Sequence, residues 1–268
     1  MSRSETQMLQ LIHQELERIE QQEQVRILYA CESGSRAWGF ASPESDYDVR
    51  FIYIRPVEWY LQLEEGKDVI ERPISDRLDL NGWDLRKALR LFRKSNPPLL
   101  EWLESPMKYL EQYSVAGAIR SLSSLSFSPQ SCIYHYLNMA KGNYRDYLQR
   151  DEVRVKKYLY VLRPLLACAW IEKFSSMPPL QFDQLIDELL PPGQEITLQV
   201  RNLVERKKAG EELSRGARLP LLNRYMEEQM DHFDRTAAGL QRSRERLDDR
   251  LGELFRSALL EVWGVWGT

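Results

Sequence analysis

The fold is decided by the stretch from Cys31 to Arg55, which reads CESGSRAWGFASPESDYDVRFIYIR. A Gly-Ser pair begins at Gly34, and after ten intervening residues the aspartates Asp46 and Asp48 follow. The glycines and the proline in the middle predict a loop or a broken helical turn, whereas the apolar end predicts a strand. The sequence therefore places small residues at one end of a loop and two carboxylates at the other.

The neighbouring segments predict a small sheet with helices. Residues 25–31 (VRILYAC) and 48–54 (DVRFIYI) are rich in branched and apolar side chains, which predicts two strands covered on both faces. Residues 5–22 carry apolar side chains at helical spacing. Residues 77–80 (RLDL) predict a short third strand that ends at Asn81 and Gly82. Residues 84–94 predict a helix that is capped by Asp84 or Asn81.

The pattern changes near residue 111, where strand signals give way to helical spacing. The predicted helices, separated by proline-containing breaks, are 113–126, 130–149, 152–173, 182–190, 196–210 and 220–263, the last with a split near Gly239. We predict an α+β fold in which a domain with a small mixed sheet, residues 1–110, precedes an all-helical domain, residues 111–268. The cleft between them is the expected substrate site.

Composition narrows the class of protein. The 268 residues suffice for one large domain or two smaller ones. The net charge of -3 argues against a large positively charged surface that binds nucleic acid. Three dispersed cysteines form neither a disulfide framework nor a zinc pattern. The N-terminal residues are too polar for a secretory signal, and no run approaches the roughly 20 apolar residues of a membrane span. We predict a soluble cytoplasmic protein and make no prediction of its oligomeric state.

The two aspartates predict a metal site. Side chains two residues apart in a strand point to the same face, so the carboxylates of Asp46 and Asp48 should converge. We expect no basic partner for them in the local sequence, so a hard divalent cation would offset their repulsion. Asp79, between two leucines of the predicted third strand, is the expected third ligand. Two ions, Mg²⁺ or alternatively Mn²⁺, would activate an attacking hydroxyl and stabilise a leaving pyrophosphate.

The Gly-Ser pair predicts a phosphate site beside these acids. Gly34 would let the backbone approach a phosphate closely, and the Ser35 hydroxyl with nearby N–H groups would bind its oxygens. Arg36 would add positive charge. Alone, a Gly-Ser pair is usually a turn, and an Asp-x-Asp pair is usually a solvated strand end. The prediction therefore depends on their combination with Asp79.

The Gly-Ser pair, the ten-residue gap, the Asp-Tyr-Asp motif and Asp79 together resemble the DNA polymerase β-type nucleotidyltransferase superfamily. One subgroup of this superfamily, the predicted bacterial nucleotidyltransferases of the RNA-repair-pathway polymerase-β family, is similar over a longer stretch. That stretch reads GSRAWGFASPESDYDVRFIYI and is followed by DLNGWDLRKALRLFRKSNPPLLEWLESP. The helical pieces IYHYLNMAKGNYRDYL and KKYLYVLRPLLACAWI are similar to that subgroup too. The resemblance covers most of residues 25–190.

The resemblance implies an enzyme that moves a nucleoside monophosphate from an NTP to a hydroxyl acceptor and releases pyrophosphate. It implies that Asp46 and Asp48 bind both metals. It also implies that Asp79 binds the catalytic metal and acts on the acceptor hydroxyl. The β- and γ-phosphates would be held by Gly34 and Ser35.

Several alternatives stay open. Asp84 competes with Asp79 as the third acid, and Asp79 is preferred because a carboxylate on a strand can face the other two. RNA is the first candidate acceptor, and a protein side chain that receives AMP or UMP, as in antitoxin-type superfamily members, is the second. A non-catalytic nucleotide-binding module is the alternative outside the enzymes. No base-reading motif decides whether ATP or another NTP is bound.

Other basic and aromatic residues are expected to be structural. Lys141, Lys157 and Arg163 lie in tyrosine-rich helical stretches and are expected to pack their stems on the core rather than to reach a nucleotide. Trp38 is expected to pack the loop that contains it. A basic cluster is predicted to be a solvated helix face: Arg201, Arg206, Lys207 and Lys208.

Overall fold

A mixed sheet lies at the centre of the computed structural model, which describes residues 3–75, 77–211, 213, 215–239 and 247–264. Its strands are β1 Arg26–Glu32, β2 Tyr47–Ile54, β3 Val69–Ser75, β4 Leu78–Asp84 and β5 Lys108–Glu111. The strand order is β3-β4-β2-β1-β5. Strands β2 and β4 run parallel, and the other neighbours run antiparallel.

Helices make up most of the remaining described chain. They are α1 Arg3–Glu23, α2 Gly34–Ala37, α3 Val57–Tyr60, α4 Leu85–Arg93, α5 Pro97–Leu103, α6 Val115–Ser121, α7 Ser123–Ser126, α8 Pro129–Tyr147, α9 Lys157–Phe174, α10 Phe182–Leu189, α11 Glu195–Lys208, α12 Pro220–Thr236 and α13 Asp248–Trp263. A helical turn, Ala237–Gly239, follows α12 where the split was predicted. The predicted fold class, a small mixed sheet followed by helices, is confirmed. Within the described residues, no helix has the length and apolarity to cross a membrane.

Strand β2 shows how both faces of the sheet are covered. Its odd-numbered side chains, from Tyr47 to Tyr53, pack in a cluster that also holds apolar residues of α1. The even-numbered Ile52 and Ile54 belong to a larger cluster formed with the helices that follow the sheet. Because strand side chains alternate, Asp48 lies on this second face and looks toward the helical part of the chain.

The larger cluster joins the sheet to the later helices. It includes Leu28 of β1, Leu99 of α5 and Leu162 of α9, all with almost no exposure to solvent. Helix α9 lies deep in this cluster, since most of its side chains from Tyr158 to Cys168 are buried. The cluster crosses residue 110, as does β5. The division into domains 1–110 and 111–268 stays a prediction.

The third strand was predicted too short. Strand β4 continues through Asn81 and Gly82 to Asp84, because it pairs with β2 on one side and β3 on the other. Gly82 serves packing rather than a turn: a Cβ there would lie 2.0 Å from the Phe51 ring.

Two helical predictions were also wrong in extent. Helix α9 begins at Lys157, because Glu152–Val153 forms a two-residue strand, β6, that pairs antiparallel with β7, Gly216–Ala217. Strands therefore do not end at residue 111. The predicted helix 113–126 is two short helices, α6 and α7.

Candidate active site

Parallel pairing brings two of the predicted acids side by side. In the register of β2 and β4, Asp48 lies opposite Asp79, and both side chains point to the face that looks toward the helices. Asp46 lies one residue before β2 and is exposed. Its negative charge still reaches Asp48, because Asp46 and Asp79 both raise the pKa of the Asp48 carboxyl. The three acids thus share one electrostatic environment.

Burial is the largest cause of the raised pKa of Asp48, and the nearby arginine Arg50 opposes it. One Arg50 Nη2 lies 3.0 Å from Asp48 Oδ1 and 2.9 Å from Asp79 Oδ2. The expectation that the acids lack a basic partner in the local sequence was therefore wrong. Arg50 stands two residues after Asp48 in the same strand, so strand alternation places it on the same face.

The Gly-Ser pair lies directly against the acids. Gly34 opens α2 with a φ of +58, and a Cβ at this position would lie 1.9 Å from Asp48 Oδ2. A glycine is required here because any side chain would displace the carboxylate and because this φ strains other residues. The Ser33 N–H donates to the Asp48 carbonyl oxygen over 2.9 Å, which fixes the loop to β2. Ser35 is buried next to this contact.

Arg36 holds the end of the loop before Asp46. Its Nη2 donates to the Ser45 carbonyl oxygen over 2.8 Å and its Nε to the Asp46 carbonyl oxygen over 3.2 Å. The guanidinium also lies 3.7 Å from the centre of the Tyr47 ring. These contacts order the backbone around Asp46.

Asp84 is committed to a different task. Its Oδ1 accepts from the Arg86 N–H over 2.8 Å as the N-cap of α4, and its Oδ2 accepts from the Tyr60 hydroxyl over 2.6 Å. It lies five residues beyond Asp79 on the same strand, which corresponds to roughly 16 Å. Asp79 is therefore the acid that shares the site with Asp48.

The helical part supplies one wall of the site. Burial raises the pKa of the Tyr160 phenol, and the carboxylates of Asp48 and Asp46 raise it further. Lys157 Nζ lies 4.8 Å from the centre of the Tyr160 ring. Lys207 Nζ, from the end of α11, lies within 3.2 Å of hydroxyl oxygens in the loop before Asp46, those of Ser42 and Ser45.

Lys207 departs from the prediction of a solvated basic face. Burial lowers its pKa, the positive charges of Lys156 and Arg36 lower it further, and the negative charge of Asp46 opposes them. Its neighbours match the prediction better, since they pair at the surface: Arg201 with Asp187, Arg206 with Glu211, and Lys208 with Asp183. No local sequence pattern distinguishes Lys207 from these three neighbours, because its contacts form only when distant parts of the chain fold together.

Trp38 fastens the loop to the helices, as its predicted packing role requires. Its Nε1 donates to Glu101 Oε2 over 3.1 Å, and the Arg163 guanidinium lies 4.4 Å from its ring. Arg163 is fully buried and pairs with Glu101 Oε1 at 2.9 Å. Lys141 instead pairs with Asp234 on the helical surface. Neither Arg163 nor Lys141 lies beside the three aspartates of the candidate site, Asp46, Asp48 and Asp79.

A buried acid that the sequence did not single out supports the strand ends. Glu32 Oε1 accepts from the Asp48 N–H over 2.8 Å, and Oε2 accepts from the Tyr109 hydroxyl. Burial raises the pKa of Glu32 to about 7. The available signal was its position two residues before Gly34, beside the Gly-Ser pair.

The side chains of Asp46, Asp48 and Asp79 have the chemistry that a divalent cation requires of its ligands. Among the described residues, no three Asp, Glu, His or Cys side chains are arranged as a metal cage. However, a cationic guanidinium already lies between Asp48 and Asp79, so the space between these acids accommodates positive charge. Asp46 adds a third carboxylate nearby, and carboxylate oxygens suit Mg²⁺ and Mn²⁺.

Similarity to known proteins identifies the family of this chain. An uncharacterized protein from Bacillus subtilis (strain 168), YcgL, is 49% identical over 261 residues, which cover 97% of this chain and 100% of that protein. A solved nucleotidyltransferase-like protein from Exiguobacterium sibiricum covers 88% of this chain and 83% of its own at 13% identity, with a TM-score of 0.25 that is too low to bear on the fold. The profile of the RNA repair pathway DNA polymerase beta family matches residues 8–257, and the chain therefore belongs to this family of polymerase β-like nucleotidyltransferases.

Proposed function

We propose that this protein is a metal-dependent nucleotidyltransferase that moves a nucleoside monophosphate from an NTP to a hydroxyl of RNA. The observation that carries the proposal is the parallel register that sets Asp48 beside Asp79, with Gly34 against the Asp48 carboxylate. This arrangement combines carboxylates for a cation with a backbone that a phosphate can approach. Family membership supports the reaction class, and the family's description supports RNA as the acceptor.

Each group of residues has a proposed role. Asp46, Asp48 and Asp79 would hold Mg²⁺, which supplies positive charge to the triphosphate and the attacking oxygen. The N–H groups and hydroxyl of Gly34 and Ser35 would bind the β- and γ-phosphates. Gly34 allows this arrangement because it has no Cβ, so the Asp48 carboxylate can lie directly against the backbone that would hold the phosphates.

The chemistry is a single displacement at phosphorus. The acceptor hydroxyl oxygen forms a bond to the α-phosphorus while the bond from that phosphorus to the bridging oxygen of pyrophosphate breaks. The bonding pair leaves with pyrophosphate, and the hydroxyl proton passes to the Asp79 carboxylate. Asp79 suits this role because its side chain is 35% exposed, so an acceptor can reach it.

Tyr160 and Lys207 support a substrate site between the sheet and the helices. Both come from helices, and both are close enough to Asp46 for its charge to affect their pKa values. A phenol ring beside the acids offers a surface for stacking a base, and the ammonium of Lys207 would attract a phosphate. We propose that this wall contributes to the choice of nucleotide.

The proposal is tested by label transfer. The protein is incubated with Mg²⁺ and each NTP labelled on its α-phosphate, together with an RNA that has a free 3′ hydroxyl or the same RNA with a 3′-deoxy end. We expect label in the first RNA only, loss of transfer in Asp48→Asn, and full transfer in Asp234→Asn, a surface control. Label on protein instead of RNA would make a protein side chain the acceptor. Transfer that survives Asp48→Asn would refute the site.

A further inference from the structure

The charged end of β2 carries a residue to which the proposed reaction assigns no role. Arg50 is only 18% exposed, and its Nη2 contacts both Asp48 Oδ1 and Asp79 Oδ2. Its Nη1 donates to the carbonyl oxygens of Val49 and Asp79 over 3.1 and 3.3 Å. These four contacts fix the guanidinium between the two strands. Arg50 is therefore built into the pair of strands that carries the acids.

The guanidinium uses oxygens that a metal would need. A divalent cation shared by Asp48 and Asp79 takes its place between their carboxylates, at about 2 Å from each ligand oxygen. Arg50 Nη2 lies between the same two carboxylates. Two cations cannot lie there together, because their charges repel and their volumes overlap.

We propose that Arg50 is an internal counter-ion that competes with the divalent metal for Asp48 and Asp79. Metal binding then requires the guanidinium to leave at least one of the two carboxylates. In the absence of metal, Arg50 keeps the two acids together and prevents their mutual repulsion. The inference rests on the proposed function, which provides the reason for a metal at these acids.

The exposure of the cluster makes the exchange feasible. The side chains of Asp48 and Asp79 are 30% and 35% exposed, so water can solvate a carboxylate while its partner changes. Partly exposed ion pairs are weak, and two of them would lower metal affinity roughly three- to thirtyfold. Arg50 would therefore set the metal concentration at which the site becomes occupied, without blocking it.

The test measures metal binding directly. Free Mn²⁺ is counted by electron paramagnetic resonance during titration of the full chain at fixed ionic strength. We expect Arg50→Gln to bind Mn²⁺ roughly three- to thirtyfold more tightly than the wild type. Arg50→Lys should bind with intermediate affinity, because an ammonium cannot span both carboxylates as a planar guanidinium does. Asp48→Asn should lose the site.

The matched control is Arg72→Gln. Arg72 lies in the same sheet but pairs with Glu23 at 3.3 Å, and its partner in register is Leu80, on the face opposite to Asp79. We expect this variant to bind Mn²⁺ as the wild type does. Thermal unfolding of every variant without metal verifies that each protein is folded.

The outcomes separate this inference from the function on which it rests. Equal or weaker Mn²⁺ binding by Arg50→Gln, with binding lost in Asp48→Asn, would overturn the competition and leave the metal site standing. Binding that persists unchanged in Asp48→Asn, or no binding by any variant, would overturn the proposed metal site and the inference with it.

Discussion

Arg163 and Arg50 both hold carboxylates next to the loop that begins at Gly34, but their surroundings differ. The Arg163 side chain has no exposure, and its partner Glu101 has 8%. Arg50 has 18%, and its partners Asp48 and Asp79 have about a third each, at 30% and 35%. The first pair is sealed beneath the Trp38 ring, whereas the second opens toward solvent.

This difference in burial distinguishes an ion pair that stabilises the fold from a charged cluster that can take part in binding. A buried charge cannot exchange its partner, because leaving it unpaired costs several kcal/mol. A partly exposed carboxylate can do so, since water or another cation takes over. We infer that Arg163 and Glu101 fix the loop to the helices, whereas Arg50, Asp48 and Asp79 can change partners during binding.

The largest expected effect is on catalysis in the open cluster. Asp79→Asn should lower the rate of nucleotide transfer by roughly 10²–10⁴-fold, because a proton acceptor is lost, and should leave the protein folded. Asp84→Ala is the matched control, in which the stability of the protein rather than the transfer rate should change. It removes the α4 cap and the Tyr60 partner, at a cost of about 1–2 kcal/mol in unfolding free energy, and leaves transfer unchanged. Equal transfer rates in both variants would contradict the assignment.

The next effect is on stability in the sealed cluster. Arg163→Met leaves Glu101 buried without its cation and should lower the free energy of unfolding by about 3–5 kcal/mol. Urea denaturation followed by circular dichroism measures it. Arg90→Met, which removes an exposed pair with Glu65, should cost less than about 1 kcal/mol. A loss of similar size in the two variants would show that burial does not distinguish the clusters.

Glu32 sharpens the comparison, since it is a buried acid held by a tyrosine rather than an arginine. Its pKa is raised by burial from 4.5 to about 7. The folded protein therefore keeps a proton that the unfolded chain releases above its own pKa. Stability from this group is present below about pH 4.5 and is lost as the pH rises toward 7, by up to about 3 kcal/mol.

Thermal unfolding of wild type and Glu32→Gln across this pH range tests the prediction. The glutamine cannot ionise, so the stability of the wild type relative to the variant should fall between pH 4.5 and 7 and stay level above it. A relative stability that does not change with pH would mean that Glu32 titrates normally in the fold.

The smallest expected effect is the stability change in Arg50→Gln. Without metal, this substitution should cost less than about 2 kcal/mol, because water partly replaces the lost guanidinium at two partly exposed carboxylates. Urea denaturation beside Arg163→Met gives the contrast within one experiment. A loss as large as that of Arg163→Met would make Arg50 a structural residue like its buried counterpart.

Local residue patterns explain which parts of the fold the sequence predicted well. Strands β1 and β2 followed from short runs of branched and apolar residues, and helix α1 followed from apolar side chains at helical spacing. The end of β4 did not follow, because Gly82 was interpreted as a turn. Its glycine is required by the ring of Phe51 on another strand, and such a contact has no local pattern.

The candidate site divides in the same way. The acids and the Gly-Ser pair lie in motifs of fixed spacing and were predicted together. Arg50 carries a signal of the same kind, since it stands two residues after Asp48, but its place among apolar residues of the strand indicates packing rather than contact with the acids. Lys207 could not be found, since it lies 165 residues from Ser42 in sequence and meets it only in the folded chain.

The most direct test of the contrast between the two clusters is nuclear magnetic resonance of the arginine side chains. The Nε–H signals of Arg50 and Arg163 are followed as Mg²⁺ is added, with Arg50 assigned from the Arg50→Lys variant. We predict that the Arg50 signal shifts as the metal binds, while the signal of Arg163 stays in place. An Arg50 signal that does not respond to Mg²⁺, or an Arg163 signal that shifts equally, would contradict the distinction.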